Sequence, residues 1–333
     1  MDSTDQQVLK TAVAWLDGGR RVALATVAQT WGSSPRPPGA WMALRDDGAI
    51  AGSVSGGCIE EDLVQRTRSV ERSRSTPEIV TYGVKPGDAA RFGLPCGGTV
   101  QLVVEHAPEV GVLREMAFRL AKREVFARTL HIASGRAELD MVRPDDVLYY
   151  DGTHFRTIHG PQWRLLIIGA GQVSQYLAHL ALALDYEVVV CDPRAEYRDA
   201  WRIDGAKLVT EMPDDAVLNL GLDGRSAVVA LTHDPKLDDL ALIDALRSSA
   251  FYIGCLGSRT STDKRKERLR QHFDLSEEEL QRLHAPVGLP IGSHTPPEIA
   301  LSIMAEITAL KNRLLPRPSR HAGYIAVPLA CGA

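Results

Sequence analysis

The feature that most constrains this chain is Gly169-Ala170-Gly171-Gln172-Val173-Ser174, set directly behind the apolar run Leu165 to Ile168. A continuous apolar run of that kind is the pattern of a parallel strand covered on both faces. Val173, Leu177, Leu180 and Leu184 then recur at helical spacing. Glycine lets the chain turn sharply between strand and helix and approach a pyrophosphate held on the helix N-terminus. Asp192 follows the next apolar run, Glu187 to Cys191, at about the spacing where a carboxylate receives ribose hydroxyls. Ser174 stands where the third glycine of the fingerprint would be. Further strand patterns at Ala227 to Thr232 and Phe251 to Cys255, each followed by a helical pattern, continue the alternation. The fold class predicted for the C-terminal half is therefore Rossmann-like α/β, a doubly wound parallel sheet.

Ligands in such sheets sit beyond the carboxyl ends of the strands. The crevice is accordingly expected to be bordered by Gly169, Gly171 and Asp192, by His233 in Thr232-His233-Asp234, and by Ser258 in the Gly254 to Arg259 loop. A helix-start residue without chemistry is an equally open reading of His233. Thr295, followed by Pro296 and Glu298, fits a capping box opening the last helix. Such a helix N-terminus also welcomes an anion.

A chain of 333 residues exceeds what one hydrophobic core usually serves, so two domains are expected. Ahead of the Rossmann pattern, residues 1–150 read as a mixed α/β domain. Helices are expected over Val8 to Leu16, Ile59 to Ser69 and Val110 to Arg123. Strands are expected over Arg21 to Thr30, Trp41 to Arg45, Glu78 to Tyr82 and Thr99 to Glu105, with two or three more between Val125 and Tyr150. The polar stretch 151–162 reads as a linker, 163–315 as the Rossmann-like domain and 316–333 as a tail.

Three loops of the N-terminal half carry chemistry. Gly52-Ser53-Val54-Ser55-Gly56-Gly57-Cys58 runs into a helix and sets Cys58 near its N-terminus, where the dipole and unpaired N–H groups favour thiolate. Leu94-Pro95-Cys96-Gly97-Gly98 sets Cys96 between proline and glycines, a backbone shaped for close approach. Gly32-Ser33-Ser34-Pro35-Arg36 offers hydroxyls, backbone donors and one guanidinium. Together Ser34, Arg36, Gly56 and Gly57 suit a phosphate or a pterin-like heterocycle. The bland alternative is that Cys58 and Cys96 are small buried hydrophobes.

Composition narrows the partners. Thirty-eight Lys and Arg stand against 42 Asp and Glu, a net charge of −4 that gives no general attraction for nucleic acid or anionic membrane. The residues Met1 to Gln7 lack the basic and apolar regions of a signal peptide. The best candidate span, Leu177 to Val190, is interrupted by His179, Asp185 and Glu187, so a cytoplasmic protein is expected. Five cysteines with no CxxC spacing argue for reduced thiols rather than a disulfide framework or a zinc site.

The runs Gly32 to Arg36, Gly52 to Glu60 and Leu94 to Gly98 resemble the N-terminal domain of the XdhC/CoxI family. Leu166 to Gly171, Gly257-Ser258-Arg259 and Pro286 to Ile303 resemble that family's Rossmann domain, in the same order along the chain. Members are accessory proteins of molybdenum hydroxylases such as xanthine dehydrogenase and aldehyde oxidoreductase. The resemblance implies binding of molybdenum cofactor, as molybdopterin or its cytidine dinucleotide form. It implies protection of that cofactor while a cysteine desulfurase installs a sulfido ligand, and insertion into the apo-subunit of the target. Carried onto this chain, Cys58 and Cys96 become candidate molybdenum ligands or sulfur-transfer thiols. A homodimer would shield the cofactor further. Two other readings stay open: an NAD(P)-dependent oxidoreductase using the crevice with His233 or Cys58 near the substrate, and a redox sensor.

Overall fold

The computed structural model describes residues 3–32, 36–69, 76–83, 98–142 and 146–312. It divides into two compact units, Met1–Pro161 and Gln162–Ala333.

In the first unit, α1 (Ser3–Asp17) precedes β1 (Val22–Trp31), β2 (Trp41–Arg45), β3 (Ile50–Gly52), α2 (Cys58–Ser69), β4 (Glu78–Tyr82) and β5 (Thr99–Glu105). There follow α3 (Val110–Ala121), β6 (Phe126–His131), β7 (Ala137–Met141), β8 (Tyr149–Tyr150) and β9 (His154–His159). An antiparallel sheet runs in the order β3-β2-β1-β5-β4, and a second in the order β7-β6-β9-β8. The strand period of two sorts β1 onto two cores. Ala23, Ala25 and Val27 pack with Ile59 and Leu63 of α2, while Val22 and Leu24 pack with Val8 and Leu9 of α1 and Met116 of α3. Arg128 on β6 meets Glu105 on β5 in a bidentate pair, Nη1 to Oε1 at 3.0 Å and Nη2 to Oε2 at 2.5 Å, and both residues are buried.

Two expectations change here. Helix α1 begins at Ser3 rather than Val8: Asp5 in its first turn accepts the Trp41 N–H at 3.2 Å, docking that turn on β2. The stretch expected as a linker contains β9, which pairs with both β6 and β8. Its polar appearance conceals a strand alternation, because Phe155, Thr157 and His159 turn inward and are buried.

The second unit is a six-stranded parallel sheet. Its elements are β10 (Arg164–Ile168), α4 (Gln172–Ala183), β11 (Glu187–Cys191), α5 (Ala195–Arg198), β12 (Lys207–Val209), α6 (Pro213–Leu220), β13 (Ser226–Ala230), α7 (Pro235–Arg247), β14 (Tyr252–Cys255), α8 (Arg259–Phe273), α9 (Glu277–Gln281), β15 (Leu283–His284) and α10 (Pro296–Lys311). The strand order β12-β11-β10-β13-β14-β15 is the doubly wound order of the Rossmann fold. One face is covered by α4 and α10 through Leu177, Ala181, Ile303 and Ile307, the other by α6 and α7 through Val217, Leu242 and Leu246. Helix α4 stops one residue before Leu184, which is 46% exposed, because Asp185 takes a left-handed conformation with φ of 63°. The expected tail lies outside the described residues. Among the described residues no helix is long and apolar enough to cross a membrane.

Candidate functional site

Strand register in the first unit gathers the three loops read from the sequence. Trp31, the last residue of β1, pairs with Thr99, the first of β5. Trp41, the first of β2, pairs with Thr26 midway along β1, so β1 runs on past β2 in the same direction, and Gly52, the last of β3, pairs with Met42. The loops that follow β1 and β3, and the one that leads into β5, therefore all leave the same end of one sheet. Two of them touch at their bases: a Cβ added to Gly32 would stand 3.3 Å from Gly98 Cα. Gly52 has no alternative residue, since its φ is +80° and a Cβ would lie 2.4 Å from Trp41 O.

The Gly/Ser loop before α2 is organised by Glu60. Its carboxylate accepts Ser53 Oγ at 2.6 Å, the N–H groups of Val54 (3.0 Å), Ser55 (2.8 Å), Gly56 (3.0 Å) and Gly57 (2.9 Å), and the Ser55 hydroxyl. Burial alone would raise the Glu60 pKa, but the bonds from Ser53 and Ser55 outweigh it and hold the group at about 2. The loop N–H groups from Val54 to Gly57 are thus satisfied by an internal carboxylate in the first turn of the helix that Cys58 opens. Gly56 and Gly57 of this loop are exposed. Gly57 has neither a left-handed φ nor a neighbour within 4 Å of a built Cβ, so nothing among the described residues requires glycine there. Arg36 lines a cavity of about 250 Å³ with Asp5, Leu148, Thr157 and His159, its Nη2 3.8 Å from Asp5 Oδ1. Ser34 and Cys96 lie outside the described residues.

In the second unit, Gly169, Asp192, His233 and Ser258 follow the adjacent strands β10, β11, β13 and β14, and so share the carboxyl edge of the sheet. Gly169 has φ of +103°, and a Cβ would lie 3.1 Å from the Thr232 backbone, so the turn after β10 crosses closely over the end of β13. Gly171, with φ of −78° and nothing within 4 Å of a built Cβ, is open to approach. Asp192 is fully buried and accepts the Ala170 N–H at 2.8 Å and the Arg194 guanidinium. Burial would raise its pKa, but these bonds hold it below the usual range. His233 is exposed in a left-handed conformation, φ 61°, uncommon for a residue with a side chain. Ser258 caps α8 through the Ser261 N–H at 3.1 Å. The Thr295 and His294 N–H groups both donate to Glu298, at 2.9 and 2.8 Å, so the expected capping box already occupies that helix start.

Beneath the crevice lies a buried polar network. Asp238 accepts the Thr232 hydroxyl at 2.7 Å and Arg265 at 3.3 Å, and Arg265 also bonds Asp239 at 2.9 Å and the Cys255 sulfur. The Thr232 hydroxyl in turn accepts the Asp234 N–H at 3.0 Å, which closes the backbone around His233. Cys191 and Cys255 are buried, and burial pushes both thiols up, Cys191 to about 12. Neither is a nucleophile in this setting. A cavity of about 720 Å³ beside Phe251, Glu279 and Arg282 opens at the amino ends of β13 and β14, the edge opposite the fingerprint.

The family model described as the XdhC Rossmann domain matches residues 165–307, and that described as the XdhC and CoxI family matches residues 15–83. The chain belongs to the XdhC/CoxI family. It is 27% identical to a protein of Bacillus subtilis (strain 168) named as a probable xanthine dehydrogenase subunit, over 90% of this chain and 96% of that protein. It is also 27% identical to the molybdenum cofactor insertion chaperone PaoD of Escherichia coli (strain K12), over 91% of this chain and 88% of that one. A solved structure from Bacillus halodurans, described as a xanthine dehydrogenase, matches with a TM-score of 0.70 at 26% identity, covering 93% of this chain and 96% of the other.

Sequence reasoning gave no role to Glu60, Arg194 or the Asp238–Arg265 network of this XdhC/CoxI chain. Glu60 carried a legible signal. An acid three positions into a helix reaches back to the N–H of the residue before it, and here Gly57 donates at 2.9 Å. Arg265 and Asp239 are 26 residues apart, and no local pattern announces such a pair.

Proposed function

We propose that this chain is a maturation factor that binds molybdenum cofactor, shields it while a cysteine desulfurase partner supplies its terminal sulfido ligand, and inserts it into the apo-subunit of a molybdenum hydroxylase of the xanthine dehydrogenase or aldehyde oxidoreductase type. The observation that carries the reading is the convergence of three loop bases at one end of the N-terminal sheet. The likeness to a relative named as a molybdenum cofactor insertion chaperone supports it further. The residues fit such a cargo: Gly57 puts no side chain in the way of a flat heterocycle, and Arg36 supplies a guanidinium in a cavity. Cys58 and Cys96 would meet the molybdenum end or carry sulfur, and Ser34 and Gly56 would line the same loops. In the second unit Gly169, Gly171, His233, Ser258 and Thr295 would border a nucleotide site of that unit's own. The cofactor, once delivered, supplies the metal centre of the finished hydroxylase. What this chain does is bind, orient and exclude water, in the cytoplasm and as a homodimer that encloses the cargo.

The test is co-purification from cells that make the cofactor, with molybdenum and pterin measured per chain on wild type and Cys58→Ser. The expected result is about one cofactor per wild-type chain, lost from the variant. Wild-type chain emerging from gel filtration with neither molybdenum nor pterin would overturn the proposal.

A further inference from the structure

In a dinucleotide-binding Rossmann domain, the carboxylate at the end of the second strand receives the ribose hydroxyls, so it must present free lone pairs to the crevice. Asp192 occupies that place at the end of β11, yet it is fully buried. Its Oδ1 accepts the Arg194 N–H at 3.0 Å and Nε at 2.9 Å. Its Oδ2 accepts the Ala170 N–H and Arg194 Nη2, both at 2.8 Å. A carboxylate offers about four lone-pair sites, and these four donors fill them. The arm that closes it is held from outside as well, since the Arg194 guanidinium lies 3.9 Å over the Tyr197 ring. Guanidinium stays charged at any physiological pH, and its bidentate grip on a carboxylate is among the stronger hydrogen-bonded pairs. A 2′-phosphate fares no better than a free diol, because Asp192 and Glu196 both bring negative charge beside Arg194.

We infer that Arg194 is a specificity-determining residue of the crevice: it bars Asp192 to the vicinal diol of a nucleotide ribose, and so excludes NAD-type dinucleotides while the Gly169–Gly171 turn beside it stays open. This closure is independent of the molybdenum cofactor reading, and its test needs no molybdenum.

NADH and NADPH are titrated by fluorescence into wild type, Arg194→Met, and Arg194→Met combined with Asp192→Asn, with circular dichroism confirming the fold of each. Wild type is expected to bind both nucleotides no tighter than about 1 mM. Arg194→Met should bind NADH at least about tenfold tighter, and the added Asp192→Asn should abolish the gain. Should the methionine variant fail to fold, Arg194→Lys takes its place; it keeps the charge but loses the bidentate geometry, and is expected to give a smaller gain in the same direction. Micromolar binding of either nucleotide by wild type, or a folded variant binding NADH no tighter than wild type, would overturn the inference.

Discussion

The Glu60 carboxylate accepts the Gly57 N–H at 2.9 Å, tying the first turn of α2 to the loop that delivers Cys58. The same carboxylate holds Val54, Ser55 and Gly56. Glu60→Ala strands these donors, of which Val54 and Ser55 are buried, and the expected loss is about 3 kcal/mol by urea unfolding. A loss below about 0.5 kcal/mol, within the range of an ordinary surface substitution, would mean that something else shapes the loop.

The two fingerprint glycines should respond differently to alanine. Gly169→Ala meets both a left-handed φ and the Thr232 backbone, and should cost about 3 kcal/mol. Gly171→Ala meets neither and should cost under about 1 kcal/mol, the scale of an N-cap change. Equal losses in thermal unfolding would contradict this account of the turn.

Arg128 and Glu105 form a buried pair with side chains 2% and 4% exposed. Arg128→Met leaves the carboxylate buried alone and should cost about 3–5 kcal/mol. Adding Glu105→Leu should recover most of that loss, because the pair is then replaced by apolar volume. A double variant as unstable as the single one would show that the pair itself stabilises the sheet contact.

Glu306 accepts Tyr252 Oη at 2.7 Å, His284 Nδ1 at 2.9 Å and the Gly288 N–H at 2.8 Å. Burial would raise its pKa, but these partners, His284 foremost, hold it below the ordinary 4.5. A depressed folded value contributes stability that is complete above the unfolded pKa and lost as the pH falls through the folded one. The stability gap between wild type and Glu306→Gln should therefore be full at neutral pH and shrink on acidification below 4.5. Denaturant titrations on either side of that pH measure it, and a gap that stays constant rules the mechanism out.

Cys191 and Cys255 should resist alkylation in the folded chain at pH 8, since both thiols are buried and raised. Mass spectrometry after iodoacetamide treatment reads this directly. Labelling of either residue at the rate of a free thiol would place it in an exposed, activated setting instead.

Much of the framework was readable from local patterns. Apolar runs and spacing of two or of three to four residues marked β2, β4, β5 and β11 with the bounds the structure has. The Rossmann alternation was readable for the same reason. Strand β9 escaped because its inward positions include Thr157 and His159, polar residues whose burial depends on pairing with β6. Candidate site residues were legible as types in loops: glycines, cysteines and an arginine. Which groups they bond was not.

The sequence by itself determined the elements and the class of each sheet, because side-chain periodicity acts between residues two to four apart. Tertiary structure alone decided that three loops leave one end of a sheet, since antiparallel register brings Trp31 of β1 opposite Thr99 of β5, residues far apart along the chain, within roughly the 5 Å spacing of paired strands. It alone decided that Asp192 is closed by Ala170, 22 residues earlier, together with Arg194. A charged side chain takes whichever partner the fold brings within about 3 Å, and that choice is made by packing between distant segments, which no local pattern encodes.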